Sequence, residues 1–351
     1  MQKVGYSTLT VSLPSEWVKQ KNIRGGDLVF LTIERDGTLR ILPSQIAQKE
    51  EAEECIVNAD ACNKEHMLER IIVGCYILGR DVIRVTSSTR IEKTHVDEVR
   101  NIVRKLIGLG IIEETQNNIL LQCSVDAVKF KIDMLIRRLS ILASTILSDT
   151  MQAFLQRDET LAREAIKRED EADTIYYLAV RLLLSAQTKP DIAEKTGATD
   201  VIFIPAMRLI LQSLELISDY SEDIAKRIIE LNDRRNKLTE EVIERIYHFG
   251  ELAQTVFQKA VDCVFSRDLI IANGVLETQN MLEKETERLI RELPEVPYLR
   301  AIIISLNRIA DMGAAIAHIA FNRALENPTK DAERIVRMVR HVRTVPLPTK
   351  K

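Results

Sequence analysis

Two acidic couples carry the residues best placed to do chemistry in this chain: Glu169 with Asp173 in KREDEADTIYYL, and Glu215 with Asp219 in LQSLELISDYSEDIA. Each couple sits in a stretch with helical apolar spacing, so its two carboxylates project from one face, a turn apart. Two such helices running antiparallel bring four carboxylates together, and carboxylate oxygens suit hard and borderline cations. Asp223 extends the second row, and Asp170 and Glu222 lie beside the rows. The other outcome for acidic stripes on helices is a solvated face paired with Lys and Arg. No enzyme is expected. A Ser-His-Asp set, Walker-type glycines and HExxH are all missing, and a carboxylate metallohydrolase is the remaining catalytic reading.

The elements that must position these carboxylates follow from composition and pattern. A length of 351 residues implies two or three domains, and 46% hydrophobic with 5% aromatic residues leans towards helix. The net charge of -3 excludes a globally basic nucleic-acid coat but leaves room for a regional basic surface. Five scattered cysteines (Cys55, Cys62, Cys75, Cys123, Cys263) without a CxxC pair point to reduced thiols rather than a disulfide frame or structural zinc. The N-terminus lacks an apolar signal core, and no uncharged run approaches the roughly 20 residues of a membrane span. A cytoplasmic protein without a transmembrane segment is expected.

Residues 1–46 differ from the rest. Alternation in Thr8–Leu13, Leu28–Ile33 and Leu39–Leu42 predicts three short strands; Pro14–Val18 predicts one helical turn, Gly25-Gly26-Asp27 a tight turn and Asp36-Gly37 a hairpin. So short a β core calls for dimerisation to complete it. The string GYSTLTVSLPSEWVKQKNIRGGDLVFLTIERDGTLRILP resembles the AbrB-type swapped-hairpin DNA-binding domain. That resemblance implies a barrel of two interleaved chains, a homodimer, and DNA contact through basic residues: Lys3, Arg24, Arg35 and Arg40, with Lys19 and Lys21 assisting. Six Lys and Arg against four Asp and Glu in residues 1–45 is a thin surplus for a DNA binder, and dimerisation or protein contact alone is the alternative use of the barrel.

Residues 47–124 read as an α/β connector: a strand at Cys55–Val57, a helix over Lys64–Leu78, a strand at Val82–Val85, and a helix over Thr94–Leu109 capped by Thr94 and Asp97 and ended by Gly108 and Gly110. A closing hairpin is expected round Asn117-Asn118. No chemistry is evident there, and His66 and His95 read as surface or capping residues.

Residues 125–327 are helical and repeat internally. Gln156-Arg157-Asp158 recurs as Ser266-Arg267-Asp268, and Leu214–Asp219 with Ile224-Ala225 recurs as Leu306–Asp311 with Ile316-Ala317. Each copy reads as three helices, giving bundles over 125–235 and 236–327. These strings resemble the PhoU family, whose frame is two tandem three-helix bundles with acidic couples on the second and third helices. The fold expected is therefore mainly α: two PhoU-like three-helix bundles behind a swapped-hairpin β-barrel head and an α/β connector.

The resemblance implies a metal, of the iron, manganese, zinc, nickel or magnesium class, held by Glu169, Asp173, Glu215, Asp219 and Asp223. Ligation without histidine points away from a dedicated zinc site. In the second copy Gln279 and Asn307 stand where the first has glutamates, leaving Glu283 and Asp311 as a weak or absent second site. The resemblance further implies regulation of phosphate uptake, with a phosphate transporter or signalling proteins as partners. Residues 328–351 add a basic tail (Lys330, Arg334, Arg337, Arg340, Arg343) expected to dock on the protein's own acidic helices or to contact DNA or an acidic neighbour.

Overall fold

A computed structural model of the chain describes residues 2–4, 8–33, 37–43, 54–200, 202–231, 238–296, 298–326, 329 and 332–336. The chain divides into two compact units, residues 1–53 and 54–351.

The first unit holds two antiparallel strand pairs. Strand β1 (Gln2–Val4), which the alternation pattern did not reveal, pairs with β2 (Thr8–Thr10), and β3 (Val29–Ile33) pairs with β4 (Leu39–Pro43). Helix α1 (Ser15–Gln20) lies between the pairs where the Pro-Ser-Glu string predicts a turn. The Gly-Gly-Asp turn closes with the Asp27 amide donating to Arg24 O at 3.1 Å and the Arg24 amide donating to Asp27 Oδ2 at 2.7 Å. Gly26, at φ 97°, takes the left-handed conformation that a side chain would resist.

The second unit opens with a four-stranded sheet in the order β5-β6-β8-β7: β5 (Glu54–Asn58), β6 (Val82–Thr86), β7 (Leu109–Glu114) and β8 (Asn118–Cys123). Strands β5 and β6 are parallel, joined through α2 (Met67–Ile77), and the other pairs are antiparallel. Val57, Ile83, Val85, Ile119 and Leu121 alternate onto one face and pack with Leu68, Ile72 and Tyr76 of α2 and with Val99 and Ile102 of α3 (Lys93–Lys105). The start of α3 departs from expectation: Glu92 is its N-cap, without a side-chain cap bond, and neither Thr94 nor Asp97 caps it. Helix α2 starts later than its apolar pattern suggests, because His66 sits at φ 59°.

Among the described residues seven further helices follow. Helices α4 (Ile132–Gln156), α5 (Glu159–Thr188) and α7 (Ile204–Leu231) pack against one another, with short α6 (Pro190–Thr196) in the long connection. Helices α8 (Glu240–Ser266), α9 (Leu269–Glu292) and α10 (Leu299–Glu326) form the second set. The Arg-Asp repeat marks the same turn twice. Arg157 and Arg267 cap their helices at φ 61° and 59°, and the next residue, Asp158 or Asp268, accepts from amides of the following helix. At Gly313 a Cβ would lie 2.9 Å from the Phe257 backbone, so glycine lets α10 approach α8 closely.

One apolar core runs through both bundles, and Ile77, Val125 and Tyr177 border both it and the sheet core. Helix α10 is, by length and composition, apolar enough to cross a membrane, a property the charge pattern hid; here it packs against α7, α8 and α9, as a buried core helix does.

Candidate functional site

Helices α5 and α7 bring the two acidic couples together. Burial, followed by Asp173, Asp219 and Glu222, pushes the Glu169 carboxyl up to about 8. Burial, then Asp219 and Asp173, raises Glu215 to about 7. Burial, then Asp173 and Glu222, raises Asp219 to about 6, and burial raises Asp173 against the pull of Lys105. Burial and mutual repulsion of the carboxylates outweigh the pull of the nearby cations Lys105, Arg208 and Lys226.

Neighbours engage the cluster. Lys105, from the end of α3, places its ammonium 2.6 Å from Asp170 and 3.9 Å from Asp173. Burial would lower the Lys105 pKa, but Asp170 outweighs it and the pKa is raised. Gln212 donates to Glu215 at 2.6 Å and accepts from the Tyr176 hydroxyl at 2.7 Å; Lys226 pairs with Glu222 at 2.6 Å. Among the described residues no three His, Cys, Asp or Glu side chains surround one point closely enough to hold a metal ion. The donor chemistry fits a hard cation, while in this structure Lys105, Gln212 and Lys226 engage Asp173, Glu215 and Glu222.

Asp223 does not join the cluster. It pairs with Arg227 at 2.9 Å and accepts from Ser305 of α10 at 3.4 Å, whereas Glu222 takes the place next to Asp219. The reason is helical phase: seven residues from Glu215 return to within about 20° of the same face, eight overshoot by about 80°. An i, i+4, i+7 stripe read from Glu215 finds Glu222.

The second bundle replaces charge with amides. Gln279 donates to Asp311 Oδ1 at 2.9 Å, Asn307 donates to Asp311 Oδ2 at 3.4 Å, and Asn307 Oδ1 lies 2.9 Å from the Thr286 hydroxyl. Arg308 adds an ion pair to Asp311 at 3.7 Å. Glu283 is exposed and makes no described bond to Asp311. Glu283 and Asp311 are thus not brought together as a donor pair.

Of the basic head residues, Arg24 is exposed beside exposed Lys19 and Lys21 at the end of α1. Lys3 lies on β1 opposite Leu9, and Arg40 lies on β4 opposite Thr32. Arg35 falls outside the described residues, as do Lys330, Arg337, Arg340 and Arg343 of the tail; Ala332–Arg334 forms a short 3-10 turn.

Residues 136–228, which span the first bundle and its carboxylates, match the PhoU domain. The first bundle is thus similar to a PhoU domain. Residues 2–49 match the family described as antidote-toxin recognition MazE, bacterial antitoxin, so a MazE/AbrB-like domain precedes the PhoU domain. A phosphate-specific transport system accessory protein PhoU homolog of Clostridium acetobutylicum is 26% identical over 160 residues, 44% of this chain and 68% of its own length. The crystal structure of PhoU from Pseudomonas aeruginosa is similar to 55% of this chain and 91% of its own, at 18% identity and a TM-score of 0.44. The PhoU-domain match ends before the second bundle, where amides have displaced the acidic couples.

Proposed function

We propose that this protein is a cytoplasmic, homodimeric regulator of phosphate uptake, in which the PhoU-type bundles restrain phosphate transport and phosphate-responsive genes and the head binds DNA. The observation carrying this reading is the joining, in one chain, of an antitoxin-type head over residues 2–49 to a PhoU domain over residues 136–228. The relative from Clostridium acetobutylicum, named for phosphate-specific transport, supports the phosphate assignment.

The head supplies reasons for both dimerisation and DNA contact. Phe30 and Leu31, neighbours on β3 whose side chains point to opposite faces of the pair, are 53% and 61% exposed, and Leu28 and Leu39 are exposed beside them. Apolar side chains on both faces of a two-stranded pair call for a second copy to cover them. Lys19, Lys21 and Arg24 form an exposed basic group that suits phosphate contact.

A divalent or trivalent metal fits the first bundle. Glu169, Asp173, Glu215 and Asp219 would hold it, joined by Glu222; Asp223 would first have to leave Arg227. When bound, the cation reverses the local sign and can accept phosphate or an acidic partner as a further ligand. A groove of about 730 Å³ beside the cluster is bordered by Arg104, Lys105 and Arg138 and equally by Glu69, Asp170 and Glu171, so its lining is balanced in charge.

Fluorescence anisotropy of the full chain on DNA from upstream of phosphate-transport genes tests the DNA arm. Sequence-selective binding that falls steeply with salt and weakens on Arg24→Ala is expected. No binding at low salt leaves the alternative, a protein-interaction adaptor on phosphate transporter or signalling proteins whose head only dimerises. That alternative is favoured by the small basic surplus of the head.

A further inference from the structure

The spacing of the cysteines along the chain hides a relationship that the fold creates. On β5, Cys55 and Val57 alternate onto the face covered by α2, while Ile56 points to the open side. On α2, Leu68, Ile72, Cys75 and Tyr76 share the buried stripe that meets this face. The two patterns place Cys55 Sγ 2.9 Å from Cys75 Sγ, both as free thiols. That is about 0.9 Å longer than a disulfide bond of ~2.05 Å, so a small side-chain rotation closes the gap. The strand is the outer one of its sheet and Cys55 is half-buried, so a small oxidant can reach it, whereas Cys75 is buried.

We propose that Cys55 and Cys75 are a reversible oxidation site that peroxide converts to an intramolecular disulfide. The Cys55 thiolate attacks one peroxide oxygen, the O–O bond breaks, and the departing hydroxide takes a proton to leave as water, giving a sulfenic acid at Cys55. Cys75 sulfur then attacks the Cys55 sulfur, the S–O bond breaks, and the departing hydroxide leaves with the Cys75 proton as a second water. Each sulfur loses one electron, and the two peroxide oxygens gain the pair. Burial pushes the Cys75 thiol up to about 12, which makes Cys75 the resolving thiol rather than the first to react.

The position gives the bond a consequence. Cys55 is the second residue of the first strand of the larger unit, immediately beyond residues 1–53 of the head unit. Cys75 lies in the last turn of a helix whose end is held by Arg181 of α5, through Tyr76 O at 2.6 Å and Arg80 O at 3.0 Å. A disulfide would pin the root of the chain segment leading from the head to an element already fastened to the first bundle.

The test treats the reduced full chain with hydrogen peroxide, alkylates the remaining thiols under denaturing conditions, and maps peptides by mass spectrometry. The expected result is a Cys55–Cys75 linked pair, about 2 Da lighter than its reduced form, restored by dithiothreitol, with Cys62, Cys123 and Cys263 alkylated. Cys75→Ser should leave a sulfenic acid at Cys55 that dimedone traps, and Cys55→Ser should leave Cys75 unoxidised. Recovery of Cys75 as a free thiol beside an over-oxidised Cys55, a Cys55 link between two chains, or no reaction at Cys55 would each overturn the proposal. The wild-type peptide map decides the matter even if a serine variant fails to fold.

Discussion

Gln279 donates a hydrogen bond to Asp311 across 2.9 Å at the position where the first bundle sets Glu169 against Asp219. One bundle neutralises the shared inner position with an amide; the other leaves carboxylate facing carboxylate. Gln279→Glu should recreate the repulsion in the second bundle. Urea unfolding at pH 8 is expected to show a loss of about 1–3 kcal/mol that shrinks towards pH 5, where the new pair can share a proton. An equal loss at both pH values would show that charge is not the cause.

The first bundle should make the metal-free protein more stable in mild acid. Glu169, Glu215 and Asp219 are raised from their usual carboxylate values to about 8, 7 and 6. The folded chain then binds more protons than the unfolded chain, so stability falls as pH rises above the unfolded values and through these raised ones. Chelator-treated protein is expected to melt at a lower temperature at pH 8 than at pH 5.5, and Glu169→Gln with Asp219→Asn should flatten the difference. A melting temperature that rises with pH over this window would contradict the assignment.

Arg181 joins the sheet to the first bundle. Its side chain is only 6% exposed and donates to two carbonyls at the end of α2 as well as to Asp81, while its guanidinium lies over the Tyr76 ring. Arg181→Met strips those carbonyls of their donors and should cost about 2–4 kcal/mol, read as a lower urea midpoint. Arg181→Lys should recover only part, because an ammonium lacks the fork that reaches several acceptors at once. Full recovery by lysine would reduce the role of Arg181 to charge alone.

In the proposed dimer, Phe30 and Leu31 of the head form the seam. Each is worth ~1.5–3 kcal/mol when fully covered, so Phe30→Asp with Leu31→Ser should remove several kcal/mol from association. Analytical ultracentrifugation is expected to show a dimer for the wild type and a monomer for the variant. A variant that remains dimeric would move the interface away from β3.

Metal content of natively purified protein, read by elemental mass spectrometry, checks the carboxylate cluster directly. Metal should co-purify with the wild type and be lost from Glu169→Gln/Asp219→Asn, while Gln279→Ala should leave it unchanged because the proposed site lies in the first bundle. A wild type that refuses added iron, manganese and zinc alike would reduce the cluster to a solvated acidic face.

Much of the architecture was legible in residue order because its signals are local. Apolar spacing sets the helices, alternation sets β2 to β4, short apolar runs mark β5 to β8, and the repeated Arg-Asp pair marks two identical helix-to-helix turns through a left-handed arginine and a capping aspartate. That each acidic couple projects from one face also followed from sequence, since its phase is fixed by its own helix; that the two couples face each other depends on how α5 packs against α7. What residue order could not decide depends on neighbours far away along the chain. Helical phase already turns Asp223 off the cluster's face and towards Arg227, but that it also meets Ser305 depends on where α10 packs. Lys105 reaches the acidic cluster from another layer of the fold, and Cys55 meets Cys75 because a strand face and a helix face close on each other. Local periodicity dictates which way a side chain points along its own element; only the packing of elements decides what it meets there.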